Sequence, residues 1–202
     1  QLQDNNGGQA FSSRRQFERR PKFMQEERGI SSGEKGSAFH LVMKHLDISA
    51  QLTDEEISRQ IDKMVAGEII TPQQGESVSP AAIGRFFRST LGERMLKSPV
   101  VFREMPFTMA VPVVEIYGEI ECPVFEKIII QGTIDCLFAE KDGYILLDYK
   151  TDLVTGETVN LLQERYRIQM DLYGRAVQAI FKRPVREKAI YSFELGEAII
   201  LS

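Results

Sequence analysis

Asp135, Asp148 and Lys150 lie in the stretch GTIDCLFAEKDGYILLDYKTD, residues 132–152, which otherwise reads as two apolar strands joined by a short turn. A charge in a packed sheet costs several kcal/mol unless it is paired or holds an ion. With Asp142-Gly143 as a two-residue hairpin turn, Lys141 faces Tyr144, Leu137 faces Asp148, and Asp135 faces Lys150. Directly opposed residues share a face of the sheet, as do residues two apart on one strand. Both carboxylates and the lysine are therefore expected on one side, with Cys136, Phe138, Leu147 and Tyr149 turned to the other as core. A loop one residue longer or shorter would break this grouping. Neighbouring carboxylates repel, and each holds its proton more tightly unless a cation intervenes. A hard divalent ion with oxygen ligands suits them, and Mg²⁺ accepts a few carboxylates plus waters. A lysine beside that ion can steady an attacking water or the charge that builds on a phosphate. The competing reading is a cross-strand Asp–Lys pair with a second Asp at the rim; the shared face favours chemistry.

Other candidates fall on helical stretches. His40 is on an amphipathic segment, where a neutral imidazole can bind metal; because Mg²⁺ prefers oxygen, one such ligand leaves room for Mn²⁺. His45, five residues on, is off that face and reads as surface. Gln169 and Tyr173 are four apart and share a helix face, with Arg165 one turn earlier. They border an apolar stripe of Leu162, Tyr166, Met170 and Val177, where a helix meets a cleft. Arg165 and Arg175 are candidate contacts for DNA phosphates, the source of most protein–DNA affinity. Glu104, in FREMPF, has a solvent-facing strand charge as its plain reading.

Positioning these groups takes a definite set of elements. Residues 1–32 are polar and rich in Gly, Ser, Gln and Arg, and read as a tail or linker; residues 33–202 read as one domain. Because the first residue is Gln, the chain is expected to be a piece of a longer protein. Ala38, Phe39, Val42, Met43 and Leu46 recur at helical spacing from Glu34 on. Thr53 with Glu56 predicts a capping box opening a helix that Gly67 ends, and Ser79-Pro80 opens a third. Strands are predicted in VVFREMPFTMAV, EIYGEI, KIIIQGTIDCLFAE and YILLDYKT. A long helix follows over Thr158–Phe181, and EKAIYSFELGEAIILS closes as a hairpin. The order predicts an α/β fold, a mixed sheet flanked by helices.

Bulk properties narrow the function. The 202 residues are 43% hydrophobic and 27% charged, ordinary for a globular domain with its own core. No apolar run is long enough to span a membrane and no signal-peptide pattern opens the chain, so no membrane partner is expected. Two cysteines, Cys122 and Cys136, cannot build a disulfide framework or a four-cysteine metal site, and point to a reducing cytoplasm. The net charge of −4 argues against a generic nucleic-acid coat. Local charge differs, with seven basic residues against four acidic between Glu157 and Lys188. No phosphate-binding loop is present, so no ATP site is expected.

At GTIDCLF and ILLDYKTD the chain resembles the D…D-x-K core of the restriction-endonuclease-like, or PD-(D/E)xK, nucleases. RYRIQMDLYGRAV is similar to the Q-x-x-x-Y motif of their RecB-like branch, and KGSAFHLVMKHL to its G-x-x-x-H helix. With RRPKFMQE, TPQQ and REMPF added, the pattern from about Arg19 onward resembles the nuclease domains of AddA-type subunits of bacterial AddAB helicase–nucleases. The resemblance implies a central mixed sheet with helices on both sides. It also implies metal-dependent hydrolysis of DNA phosphodiesters, acting on single strands produced by the rest of a parent helicase chain, beside an AddB-type partner, in the repair of double-strand breaks. On this chain it implies that Asp135 and Asp148 hold Mg²⁺, with the Tyr149 carbonyl as a further ligand and His40 a ligand or just behind one. Lys150 would serve the nucleophilic water, Gln169 and Tyr173 would orient the lysine and the phosphate, and Glu104 would be a carboxylate on the metal side or just behind it. Some relatives, those of AddB type among them, carry an iron–sulfur cluster on four cysteines; none is expected here. A scaffold that keeps the fold and only guides DNA is the alternative, but it has no need for all of Asp135, Asp148, Lys150, Gln169 and Tyr173. A small-molecule phosphatase is disfavoured by the basic helix.

Overall fold

The computed structural model describes residues 30–114, 126–151 and 158–201, with 158–165 through their backbone only. The predicted strand EIYGEI and most of the tail fall outside these residues.

Five helices come first, and side-chain caps set most of their starts. Helix α1 (Ser32–His45) opens at Ser31, whose hydroxyl accepts from the Glu34 amide while the Glu34 carboxylate accepts from the Ser31 amide. It buries Ala38, Phe39, Val42 and Met43, the periodic set expected. Helix α2 (Asp54–Ala66) opens at Thr53 and stops at Gly67. Only half of the predicted capping box forms: Thr53 Oγ1 accepts from the Glu56 amide, but the Glu56 carboxylate accepts from Gln60 and pairs with Arg59. Two short helices, α3 (Pro72–Ser77) and α5 (Thr90–Leu96), have no counterpart in the pattern read from sequence. α3 buries none of its residues, so it leaves no apolar periodicity to read. Between them, α4 (Pro80–Arg88) has Pro at its first position. α5 starts at Ser89, the residue that also ends α4, so the two read as one run.

The sheet comprises β1 (Val101–Pro112), β2 (Lys127–Glu140), β3 (Gly143–Lys150), β4 (Val185–Ser192) and β5 (Glu197–Leu201), in that spatial order. Only the β3–β4 pair is parallel, and α6 (Thr158–Phe181) lies between them in the chain. The sheet is mixed, as expected, and both faces are covered. Helices α1, α2, α4 and α5 pack on one face with Cys136, Phe138, Ile145, Leu147, Tyr149, Ala189 and Tyr191. Phe86 stands edge-on to Tyr191 and Tyr149 there, with ring centroids 4.8 and 5.5 Å apart. On the other face, Met170, Ala176 and Val177 of α6 pack on Ile134, Leu137, Leu146 and Ile190. No helix among the described residues is long and apolar enough to cross a membrane.

The central hairpin differs from its expected register. Leu137 pairs with Leu146 and Glu140 with Gly143, so the turn is Lys141-Asp142 rather than Asp142-Gly143, a displacement of two residues. An even slip keeps each side chain on its face; an odd one would have inverted them all. Gly143 meets a different need. A Cβ there would lie 2.3 Å from the Pro184 carbonyl oxygen, which accepts from the Tyr144 amide at 2.9 Å. The glycine admits a neighbouring backbone instead of forming the turn.

Candidate active site

The site begins with an irregularity shared by β1 and β2. In a regular strand, residues three apart lie on opposite faces. Here Phe102 and Met105 both join the α6-side core, and so do Ile134 and Leu137. The pairing itself does not slip, with Arg103 opposite Cys136 and Met105 opposite Ile134. Glu104, between them on β1, has φ 49, a left-handed conformation that a residue with a Cβ adopts at a cost of roughly 1–3 kcal/mol. Both strands thus turn one residue out of alternation at the same level. Glu104 and Asp135, which alternation would aim at α6, meet His40 of α1 instead.

His40 Nδ1 lies 2.9 Å from Glu104 Oε1 and 3.5 Å from Asp135 Oδ1. One donor atom from each of the three falls within 4.8 Å of the others. Asp135 is buried, and its other oxygen accepts from the Tyr149 amide at 2.7 Å. Burial first, and the Asp148 charge second, raise the Asp135 carboxyl to about 7. For His40, burial opposes the charged ring, but the hydrogen bond with Glu104 and the charges of Asp135, Glu104 and Asp148 outweigh it and raise its pKa. Three negative groups thus converge on one imidazole, and without a cation the site retains protons at neutral pH.

Asp148 and Lys150 share the α6 side, as expected. Gln169 Nε2 donates to Asp148 Oδ1 at 3.3 Å, and Gln169 also bonds the Tyr173 hydroxyl. Lys150 Nζ approaches Asp148 Oδ2 to 2.6 Å and stands 4.6 Å from the centre of the Tyr166 ring. That approach is an ion pair off the hydrogen-bonding direction, since Asp148 Oδ2 is buried without a hydrogen bond. Burial alone would lower the Lys150 pKa, but Asp148 more than compensates and raises it. Beside the negative Asp148, Lys150 keeps its proton more tightly than a free lysine, and its ammonium is suited to stabilising negative charge.

The expected residues gather as two linked groups. His40, Glu104 and Asp135 form one, on the α1 side; Asp148, Lys150, Gln169 and Tyr173 form the other, toward α6. The Tyr149 amide on Asp135 and the repulsion between Asp135 and Asp148 join them. Glu104, which the sequence places at most beside the metal, is a member of the donor cluster. Tyr166, which the sequence assigns to the core, lies under the lysine. Gln169 holds Asp148 rather than the lysine that the resemblance implies. Arg175 is exposed on α6, and Arg165 belongs to the part of α6 described by backbone alone. A cavity of about 450 Å³ opens beside the first group, lined by His40, Glu104, Tyr149 and Lys150 together with Ser37 and Lys44 of α1. A cluster of two carboxylates and one imidazole fits a hard divalent cation of the Mg²⁺ or Mn²⁺ type.

A mixed sheet covered on both faces, with clustered carboxylates and a D-x-K lysine at the parting of two central strands, defines a class of nuclease. The chain belongs to the PD-(D/E)XK nuclease superfamily, whose pattern matches residues 10–200. It is 40% identical over 190 residues to the A-type subunit of the ATP-dependent helicase/nuclease of Desulforamulus reducens, covering 94% of this chain and 15% of that protein. It is 45% identical over 186 residues to the protein of the same name from Pelotomaculum thermopropionicum, covering 92% and 15%. For that of Acetivibrio thermocellus the figure is 42% over 183 residues, covering 90% and 14%. The chain thus spans about 15% of the length of these relatives.

Proposed function

We propose that this chain is a Mg²⁺-dependent deoxyribonuclease, the DNA-cleaving domain of a larger helicase–nuclease. It hydrolyses phosphodiesters of single strands delivered by the rest of a parent chain, during the processing of broken ends for recombinational repair in the cytoplasm. An AddB-type protein is the expected partner. The observation that carries this reading is the meeting of His40, Glu104 and Asp135 beside the Asp148–Lys150 pair.

His40, Glu104, Asp135 and Asp148 would hold the cation, with the Tyr149 carbonyl as a further ligand. When bound, such an ion polarises a phosphoryl oxygen and makes water a better nucleophile near neutral pH. The chain's own groups do the rest. Asp135 and His40, whose pKa values are raised in the cation-free site, would serve as ligands in their unprotonated forms. Gln169 fixes the Asp148 carboxylate in the orientation that the site needs. Lys150, as an ammonium, sets a positive group where the phosphate gains negative charge in the transition state. In the reaction, water adds at phosphorus, one P–O ester bond breaks, and the products are a phosphomonoester and a free hydroxyl. Single-stranded oligonucleotides incubated with Mg²⁺, with and without EDTA, test this. Cleavage in Mg²⁺ alone is expected. Binding without cleavage in either Mg²⁺ or Mn²⁺ would establish the scaffold reading instead.

A further inference from the structure

We infer that Arg103 is a positioning residue for the cation site, fixing α1 against β1 so that His40 meets Glu104 and Asp135. The inference rests on the cation reading above. Arg103 Nη1 donates to the Met43 carbonyl at 2.9 Å and to the Leu46 carbonyl at 2.5 Å. These belong to the last turn of α1 and its cap, where carbonyls lack partners within the helix. A guanidinium there also meets the negative end of the helix dipole. His40 is one turn before Met43 on the same helix. Glu104, the next residue on β1, bonds His40.

Two neighbouring residues of β1 thus hold α1 at two points one turn apart. Regular alternation would send Arg103 and Glu104 to opposite faces of the sheet. The left-handed turn at Glu104 brings both to the α1 side. With the Arg103 anchor in place, a shift of α1 along its axis is blocked. Without it, the polar contacts among the described residues that tie α1 to β1 at this level reduce to the one between His40 and Glu104, and the imidazole drifts from the carboxylates. The plain alternative is that Arg103 merely caps α1. That alternative predicts a lower melting temperature with unchanged cation affinity.

The test is calorimetric Mn²⁺ titration of the whole chain, with melting in EDTA and oligonucleotide cleavage run in parallel. The proteins are wild type, Arg103→Ala, Arg103→Lys, Arg103→Met and Arg94→Gln. Arg94 bridges Glu140 and Glu187 at 2.8 and 2.9 Å and touches none of the site residues, so its variant reports general destabilisation. Removing a partner that orients a ligand typically weakens metal binding by about 10–100-fold. Arg103→Ala should fall in that range, with kcat reduced and KM for the oligonucleotide little changed. Arg103→Lys should recover most of the loss, since an ammonium can still reach a carbonyl. Arg94→Gln should melt lower and bind Mn²⁺ as wild type does. Wild-type Mn²⁺ affinity in Arg103→Ala would overturn the inference while leaving the cation site standing. If Arg103→Ala does not fold, Arg103→Met, which keeps the apolar stem and removes the donor, decides: weakened Mn²⁺ affinity supports the inference and wild-type affinity overturns it. Absence of Mn²⁺ binding by the wild-type chain would sink the cation reading and this inference with it.

Discussion

Lys150 is mostly enclosed, and burial alone would drive its proton off; Asp148 at 2.6 Å reverses that balance. Its chemistry must therefore come from its charge. Lys150→Ala is expected to bind Mn²⁺ at least as tightly as wild type, since a competing positive group has gone, yet to lose at least about a hundredfold in turnover, the scale of losing one transition-state donor. Calorimetry showing that metal binding vanishes with the lysine would make it a structural partner of Asp148. Asp148→Asn tests the other half of the pair. It keeps the shape and an acceptor for Gln169, removes a negative charge next to Asp135, and should abolish cleavage while leaving a folded protein; cleavage at the wild-type rate would refute its role at the cation. The protons at this site also give a signed pH dependence. Asp135 has a folded-state pKa of about 7 against an unfolded value near 4, so the folded state binds the proton more tightly. Its contribution to stability is fully present below about pH 4 and is lost as pH rises through 7. His40, also raised, acts in the same direction above its ordinary value. Without metal, the melting temperature should therefore fall between about pH 5.5 and 8, and the stabilisation by added Mg²⁺ should grow over the same interval, because the ion displaces those protons. A metal-free melting temperature that rises across this interval would contradict the arrangement of charges described.

At the scale of elements, the two groups of the site depend on how closely α6 can approach β2. Gly132 sets that distance. A Cβ there would lie 2.8 Å from the Phe107 ring and 3.1 Å from the Tyr173 hydroxyl. Those two rings meet edge-on with centroids 5.0 Å apart, and Tyr173 carries the bond to Gln169. Gly132→Ala should destabilise by roughly 1–3 kcal/mol, the usual cost of overpacking, and should lower turnover by displacing Gln169 from Asp148. Denaturant unfolding and initial rates measure the two effects separately; a stable variant with wild-type turnover would show that the approach has slack. Much of this layer is legible in the residues. Capping side chains and 3.6-residue periodicity place α1, α2 and α4, and Thr158–Phe181 is helical over the range expected. The hairpin's faces are legible because alternation is insensitive to an even slip. Its register is not, because Gly143 answers to Pro184, a contact distant in sequence. The break at Glu104 and Asp135 leaves no local sign. Neither position is itself a glycine or proline, and the left-handed glutamate is held there by its contact with His40 rather than by propensity. Sequence alone therefore gives Glu104 too little weight and puts Asp135 on the same face as Asp148.

Across the whole molecule, charge and shape favour a flexible strand over a stiff duplex. The net charge of −4 offers no general attraction for DNA, so binding must come from local groups. Several basic residues near the end of α6 are engaged within the fold: Arg183 and Arg186 donate to carbonyls of the Glu140–Asp142 turn, and Lys188 pairs with Asp171. Phosphate contacts are expected from Arg165 and Arg175, earlier on α6. His40, Glu104 and Lys150 line a cavity between α1 and the end of β3, while Asp135 and Asp148 are buried. Reaching them requires a backbone that can bend into the cleft, which single strands do readily and duplex resists over its long persistence length. We therefore predict faster cleavage of single-stranded oligonucleotides, or of frayed ends, than of blunt duplex with the same sequence. Because the expected contacts are to phosphates, rates should vary little with base sequence. Affinity should fall with salt at a slope of roughly −0.7 for each phosphate contacted. Initial rates in Mg²⁺ on matched single-stranded and duplex substrates, across a salt series, provide the measurement. Preference for intact duplex with cutting at one defined sequence would mark a restriction-type enzyme, in which base edges rather than phosphates select the substrate, and would overturn the helicase–nuclease reading at its substrate.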